Sequence, residues 1–328
     1  MKGMKWGVAK ICYALLLISL SGLIFPVYSV DKYPTRPIEI VVPYSPGGAT
    51  DLMGRIIANA LNKKWKVPVN VVNKPGGNTL PACMDVYRAK ADGYTMLADN
   101  QASSSMLENV VKDLPIKVLD RTFIAMIGVA PNVLIVPTES SYKTLNDIIA
   151  EAKKDPKTFT WTSIGGAAPQ DFTIRQFFKS INVDVSQTKP IMTQGAAQCV
   201  TLTAGNHVKL GCGATSSSMP AIQAGSVRPL AITSKTRFPE LANVPTTAEL
   251  GYPAVDCLYW VGISGPPKLP SYIADAWDSA LKELMKDSEM IANLKSVKAM
   301  PFYHDSKGTR EYVIKESQEV KKLWSSKP

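Results

Sequence analysis

The chain has 328 residues, 37 Lys and Arg against 27 Asp and Glu, two His and a net charge of +10. No basic run interleaved with aromatics points to nucleic acid, and two histidines without a CxxC pair argue against a zinc site. The length exceeds what one simple core holds and suits two domains.

Lys2, Lys5 and Lys10 precede an apolar run over 11–25, broken only by Ser19, Ser21 and Gly22, and Val27-Tyr28-Ser29 is a small-x-small site. Residues 1–29 therefore read as a cleaved secretory signal peptide. The competing reading is an uncleaved anchor, but the run falls short of the roughly 20 residues a spanning helix needs. Cys12 opens the apolar run instead of closing it, which argues against a lipoprotein. Removing the segment lowers Lys and Arg from 37 to 34 and the net charge from +10 to +7. That charge either steers small anions toward a cleft or serves solubility alone.

From residue 38 on, strand and helix patterns alternate. Ile38–Val42 is β-branched and apolar, and a helix over 51–61 would place Leu52, Ile56 and Ile57 on one face. A strand over 67–72 ends in the loop 73–78, a helix then runs to about Ala89, and a strand over 94–98 follows. Strands over 122–129 and 133–136 flank Pro131-Asn132, and 144–154 is a helix. A strand over 159–162 leads into a helix from Pro169, a favoured first-turn residue. Residues 190–192 precede a helix through Thr203. A strand over 208–212, a helix to Ala224 and a strand over 227–233 come next. The strand over 258–264 ends at Pro266-Pro267, and helices over 272–285, 289–297 and 307–324 close the chain. Short alternating units imply a parallel sheet covered by helices.

Four cysteines lie beyond the signal segment: Cys83, Cys199, Cys212 and Cys257. An exported protein tolerates disulfides or buried thiols. Cys199–Cys212 is the preferred pair, because a helix followed directly by a strand can bring them together; free thiols are the alternative.

Gly47-Gly48, Gly76-Gly77, Gly165-Gly166 and Gly195 each fall between a strand and a helix. In open parallel sheets ligands lie beyond the carboxyl ends of the strands. Helix starts there present unpaired N–H groups and a positive dipole end. One glycine loop means only a turn; four point to an anion-binding cleft. The P-loop ending, GxGxxG and GxSxG are all missing. Polar loops without a charged clamp suit a carboxylate better than a triphosphate. Thr50 can cap its helix or meet a ligand. Asp51 reads as a support for the loop, since Asp is favoured in first turns.

YPTRPIEIVVPYSPGGATD over 33–51 resembles the opening of the Bug receptors, the extracytoplasmic solute-binding proteins of tripartite tricarboxylate transporters. NKPGG over 73–77, ADGYT over 91–95, PNVL over 131–134, AGSVRPLAITS over 224–234 and VPTTAELG over 244–251 continue the likeness. The resemblance implies an α/β type II periplasmic-binding-protein fold with two crossovers. Lobe 1 would comprise 30–131 and 253–328, and lobe 2 residues 132–252. It implies that Ser45, Pro46, Gly47, Gly48, Ala49, Thr50 and Asp51, with Gly76, Gly77 and Asn78, hold one ligand carboxylate while Tyr44 packs on the ligand. Thr162, Ser163, Gly165, Gly166, Ala167, Ala168 and Gln170 would approach from lobe 2, with Gln194 and Gly195. Asn100, Thr215 and Ser216 complete the expected set. Two departures from the family pattern, Met192-Thr193-Gln194 and Gly213, remove formal charge from the distal side. That weakens the case for an amino-acid ligand.

The expected function is periplasmic capture of a di- or tricarboxylate or an aromatic acid by a monomer, for delivery to membrane permease subunits. No cofactor, metal or nucleic acid is called for. A co-receptor for a membrane sensor kinase remains an alternative. So does an exported enzyme, although His207 and His304 lack the placed partners that catalysis needs.

Overall fold

The computed structural model describes residues 33–325, so the expected signal peptide lies outside the described residues. The elements in order are β1 (Ile38–Val42), α1 (Ala49–Trp65), β2 (Val69–Asn73), α2 (Leu80–Arg88), β3 (Thr95–Asp99), α3 (Leu107–Val110) and β4 (Arg121–Pro137). Then come α4 (Leu145–Lys154), β5 (Thr160–Ser163), α5 (Pro169–Ser180), β6 (Lys189–Met192), α6 (Ala196–Ala204), β7 (Gly211–Ala214), α7 (Thr215–Gln223) and β8 (Val227–Ile232). The chain closes with β9 (Leu258–Pro267), α8 (Ser271–Leu284), α9 (Ser288–Ser296), β10 (Met300–His304) and α10 (Ser306–Ser325).

Local chemistry sets the helix ends. In α1, Asp51 stands in the first turn and Lys63 and Lys64 in the last, complementing the helix dipole. Lys66 stops the helix in the left-handed conformation. The buried stripe of α1 is Met53, Ile57 and Leu61, each fully covered. Burial of each contributes about 1.5–3 kcal/mol. The expected face through Leu52 and Ile56 is therefore rotated by one residue, and both of these are only partly covered. In α4 the capping box is complete: Thr144 accepts from the Asp147 amide while Asp147 accepts from the Thr144 amide.

The main sheet runs β10-β4-β9-β3-β1-β2, with β7 and β8 also paired to β4. It is mixed, not purely parallel. β1 pairs parallel with β2 and β3, whereas β9 returns antiparallel between β3 and β4. β5 and β6 form a separate parallel pair.

The two strands expected around Pro131-Asn132 are one strand of 17 residues. Proline lacks an N–H and normally interrupts a ladder. Here Pro131 sits where β4 changes partners: it lies opposite Leu258 of β9, and Asn132 already lies opposite Ala214 of β7. The missing donor thus falls at the seam between two ladders. Likewise Pro266-Pro267 belongs to the end of β9, with Pro267 opposite Arg121. β10 had no expected counterpart.

Three apolar clusters support this frame. One gathers Val41, Leu97, Phe123, Trp260 and Val313. A second packs Phe159, Trp161, Phe177 and Phe178 against Leu134, and the third joins Val133 and Ile135 to Met219 and Ile232. Neighbouring β4 residues thus enter different clusters from opposite faces, as strand alternation requires. The four cysteines among the described residues are free and buried, so the expected Cys199–Cys212 bridge is not formed. Cys199 faces Thr193, with Sγ 3.1 Å from Oγ1, while Cys212 packs in the Phe159 cluster. Helix and strand adjacency does not aim the two sulfurs at each other.

Candidate functional site

Four strand-to-helix loops lie at the carboxyl ends of β1, β2, β5 and β6, while β7 passes directly into α7. The first leaves β1 through Pro43 and Tyr44 and enters α1 at Ala49. Gly47 has φ +85, which glycine adopts without strain. No side chain caps α1, so the amides of Ala49, Thr50 and Asp51 have no intrahelical acceptor. Asp51 is a support, as expected. It is buried and accepts from Gly47 N (2.9 Å), Asn73 Nδ2 (2.8 Å) and Arg55 Nε (3.0 Å). Burial alone would raise its pKa, but the bonds from Arg55, Gly47 and Asn73 outweigh that and hold the carboxyl below its ordinary value.

The second loop is strained. Gly76 and Gly77 have φ +98 and +54, and the next two residues, Asn78 and Thr79, stay left-handed at +53 and +69. A β-branched residue there is a true outlier, the kind of strain that accompanies binding sites. α2 consequently begins at Leu80. Thr79 is pinned by its hydroxyl, which donates to Ala102 O (3.2 Å).

In the third loop Gly165 has φ +111. Behind it lies Asp171, fully buried in the first turn of α5 and accepting from Ser163 Oγ and Ile164 N (2.8 Å). Burial pushes this carboxyl up to about 7, against the opposing bonds from Ser163 and Ile164. In the fourth loop Thr193 donates to Ser163 O through its amide (2.7 Å) and its hydroxyl (3.0 Å), tying loops three and four together.

Loops one and four, and loops two and three, meet at glycines, across which the side chains of Ser45 and Asn78 pack closely. A Cβ on Gly165 would stand 2.1 Å from Asn78 Oδ1, and one on Gly195 would stand 2.7 Å from Ser45 Oγ. Between them lies a narrow cavity lined by Pro43, Tyr44, Gly76, Asn78, Thr79, Ala102, Ile164, Ala167, Ala168, Thr193 and Gln194. None of these side chains is Asp, Glu, Lys, Arg or His. The Tyr44 hydroxyl is buried beside Asn100 and Tyr259. Burial keeps the Tyr44 phenol well above its ordinary pKa, so it retains its proton and can donate.

Of the expected site residues, Tyr44, Gly76, Asn78, Ala167 and Gln194 line this cavity, as does Ala168. Ser45, Gly47, Gly48, Gly165, Gly166 and Gly195 belong to the same loops but do not line it. Thr50 and Asn100 stand behind the lining. Thr50 Oγ1 and the Tyr259 hydroxyl share a short hydrogen bond, and Asn100 Nδ2 donates to both (2.9 and 2.8 Å). Thr162, Gln170, Thr215 and Ser216 do not line it. The Thr215 hydroxyl instead donates to Lys298 O (3.1 Å).

Thr79, Ala102, Ile164, Tyr259 and Asp171 were missed. For Asp171 a signal existed: an aspartate follows a Gly-Gly pair and precedes an arginine by four residues, as in Asp51–Arg55 and Asp171–Arg175.

The cavity floor rests on a buried polar turn, 99–106. At its far end Ser105 Oγ (2.5 Å) and Trp260 Nε1 (3.0 Å) donate to Glu316 Oε2. Burial raises the Glu316 carboxyl to about 7 from 4.5. A raised folded-state pKa means that the acid's favourable contribution is complete below 4.5 and is lost as pH climbs through about 7. Glu316→Gln has no such dependence. The variant should therefore gain on the parent by about 2 kcal/mol between pH 4 and 8, allowing for the side chain's partial exposure. Urea unfolding at stepped pH measures this; a constant difference would refute it.

A tripartite tricarboxylate transporter family receptor model matches residues 53–327. Protein BugT of Bordetella pertussis is 29% identical over 311 residues, covering 92% of each chain. The solved periplasmic binding protein BugD superposes with TM-score 0.84 at 23% identity, covering 89% of this chain and 97% of its own. A Rhodopseudomonas palustris protein solved with adipate gives 0.84 at 24% identity, covering 89% and 98%. The architecture is thus the α/β periplasmic-binding-protein fold, and the matching family is one of binding proteins, not enzymes. The chain belongs to the tripartite tricarboxylate transporter family of receptors.

Proposed function

We propose that this receptor captures a small carboxylate in the periplasm and delivers it to the membrane components of a tripartite transporter. In this reading the described residues up to 131, with those from 253 on, form one lobe and 132–252 the other, and the ligand lies between them. The observation that carries this reading is the convergence of four strand-to-helix loops on one cavity whose lining is neutral and includes Tyr44, Asn78, Thr79, Thr193 and Gln194. Neutral donors and a helix dipole suit one compact anion. The relative solved with adipate supports the ligand class. Among the described residues no helix is long and apolar enough to cross a membrane.

A thermal-shift screen of carboxylic acids tests the reading. A true ligand at a hundred times its Kd stabilises by about 2.7 kcal/mol. If no carboxylate raises the melting temperature, the reading fails.

A further inference from the structure

The turn over 99–106, which carries Ala102 into the cavity lining, is buried throughout yet forms no α-helix before Leu107. Irregular backbone in the interior needs partners for its polar groups, and side chains must supply them. At the start of the turn Asp99 Oδ1 accepts from Asn100 N (2.9 Å), and Asn100 Oδ1 accepts from the amides of Ala102 (2.9 Å) and Ser103 (3.2 Å). At its end the turn is gripped by α10. Glu316 Oε2 accepts from Ser105 Oγ (2.5 Å), and Asn109 Nδ2 donates to Ser105 O (2.9 Å) and Ser317 Oγ (2.9 Å). The same Glu316 oxygen accepts from Trp260 Nε1 (3.0 Å), while the Trp260 amide donates to Gln101 Oε1 (3.2 Å). Glu316 thus ties the turn to β9 and to a helix 211 residues further along the chain.

The turn in turn holds loop two. Thr79 keeps a left-handed backbone at φ +69, a conformation costly for a β-branched side chain. Such strain persists only where neighbours over-determine it. The Thr79 hydroxyl donates to Ala102 O (3.2 Å), in the middle of the clamped turn. Thr79 and the left-handed Asn78 beside it both line the cavity, so this bond carries the placement of the turn to the cavity wall.

We propose that Glu316 is a positioning residue for the ligand cavity: from α10 it fixes the 99–106 turn, and through the Ala102 carbonyl it keeps Thr79 and Asn78 in the conformation that shapes loop two. Glu316 itself does not line the cavity. The inference takes as its site the cavity of the receptor reading above.

Hydrogen exchange on the protein in buffer free of carboxylic acids tests it, so its outcome is independent of whether a carboxylate binds. The reporters are the amides of Thr79 and Leu80, which donate to Gly76 O and Gly77 O. Glu316→Leu leaves the Ser105 hydroxyl and the Trp260 N–H without this acceptor. It should speed exchange of both reporters by about tenfold or more. Glu316→Gln keeps an acceptor oxygen and should leave them within about twofold of the parent. The Ala168 amide of loop three, bonded to Gly165 O (2.9 Å), is the control and should not change. A merely structural role would speed both loops alike. Thr79→Val keeps the branched shape but removes the bond to Ala102 O. It should free the reporters by itself, and adding Glu316→Leu should then accelerate them little further. Unchanged reporters, equal acceleration in the two loops, no rescue by Gln, or full additivity in the pair overturns the proposal. If Glu316→Leu does not fold, Ser105→Ala breaks the same link from the turn and is held to the same outcomes.

Discussion

Gly165→Ala is expected to weaken ligand binding by at least about a hundredfold, the equivalent of some 3 kcal/mol. Two costs combine. The backbone at Gly165 has φ +111, a region that L side chains rarely adopt, and holding alanine there costs roughly 1–3 kcal/mol. The new methyl would also stand 2.1 Å from Asn78 Oδ1, so loops two and three could not keep their present contact. The clashing atom is the end of the Asn78 side chain, which can rotate away, so the backbone cost is the larger of the two. Combining the change with Asn78→Gly removes the collision and suits the backbone at φ +53. That double variant should regain part of the affinity, leaving the backbone cost alone. Calorimetry on the wild type, both single variants and the pair separates the two costs. Normal binding by Gly165→Ala would show that the loops need not meet when ligand is held.

The second large effect concerns stability. Arg121 and Asp99 form an ion pair at 3.3 Å with side chains 0% and 1% exposed. Arg121 also donates to Ser264 Oγ (3.0 Å), Ser103 O (2.7 Å) and Ser104 Oγ (2.9 Å). Arg121→Ala leaves a carboxylate in the interior without its countercharge, and removing one partner of a buried pair costs about 3–5 kcal/mol. Arg121→Met with Asp99→Asn removes both charges and should recover much of the loss. Because Asp99 also accepts from Asn100 N (2.9 Å), Ser103 Oγ (2.5 Å) and Ser104 Oγ (2.7 Å), the single variant should loosen the turn that presents Asn100 behind the cavity. Urea denaturation gives the magnitude. A loss below about 1 kcal/mol for Arg121→Ala would mean that water reaches the pair.

The alternation of strands and helices and the glycine loops were legible because periodicity and turn residues are local signals. Pro131 and Pro266-Pro267 misled, since a proline's meaning in a strand depends on which partner lies opposite. β10 escaped because MPFYH carries no strand alternation that stands apart from its neighbours; only the edge of β4 makes it a strand. The parallel expectation failed because the direction of β9 depends on where the chain re-enters the sheet. At the site, the bare loops could be read, but their mutual approach could not: Gly165 and Asn78 lie far apart in sequence, and only the fold brings them into contact. Asp171 was overlooked although it repeats the Asp51–Arg55 spacing, because the flanking glycines drew the reading toward ligand contacts and away from what lies behind them.

The placement of β9 has a consequence for synthesis. β3 and β4 are made early, yet neither pairs with the other; both wait for residues 258–267 to be laid between them. Until that segment arrives, two apolar strands expose their edges, and a nascent chain is open to aggregation. Sheets assembled from such distant pieces close slowly. A chain truncated before Leu258 would lack the shared neighbour of β3 and β4, so a nonsense change late in the gene is as damaging to the binding loops near the start as a change within them.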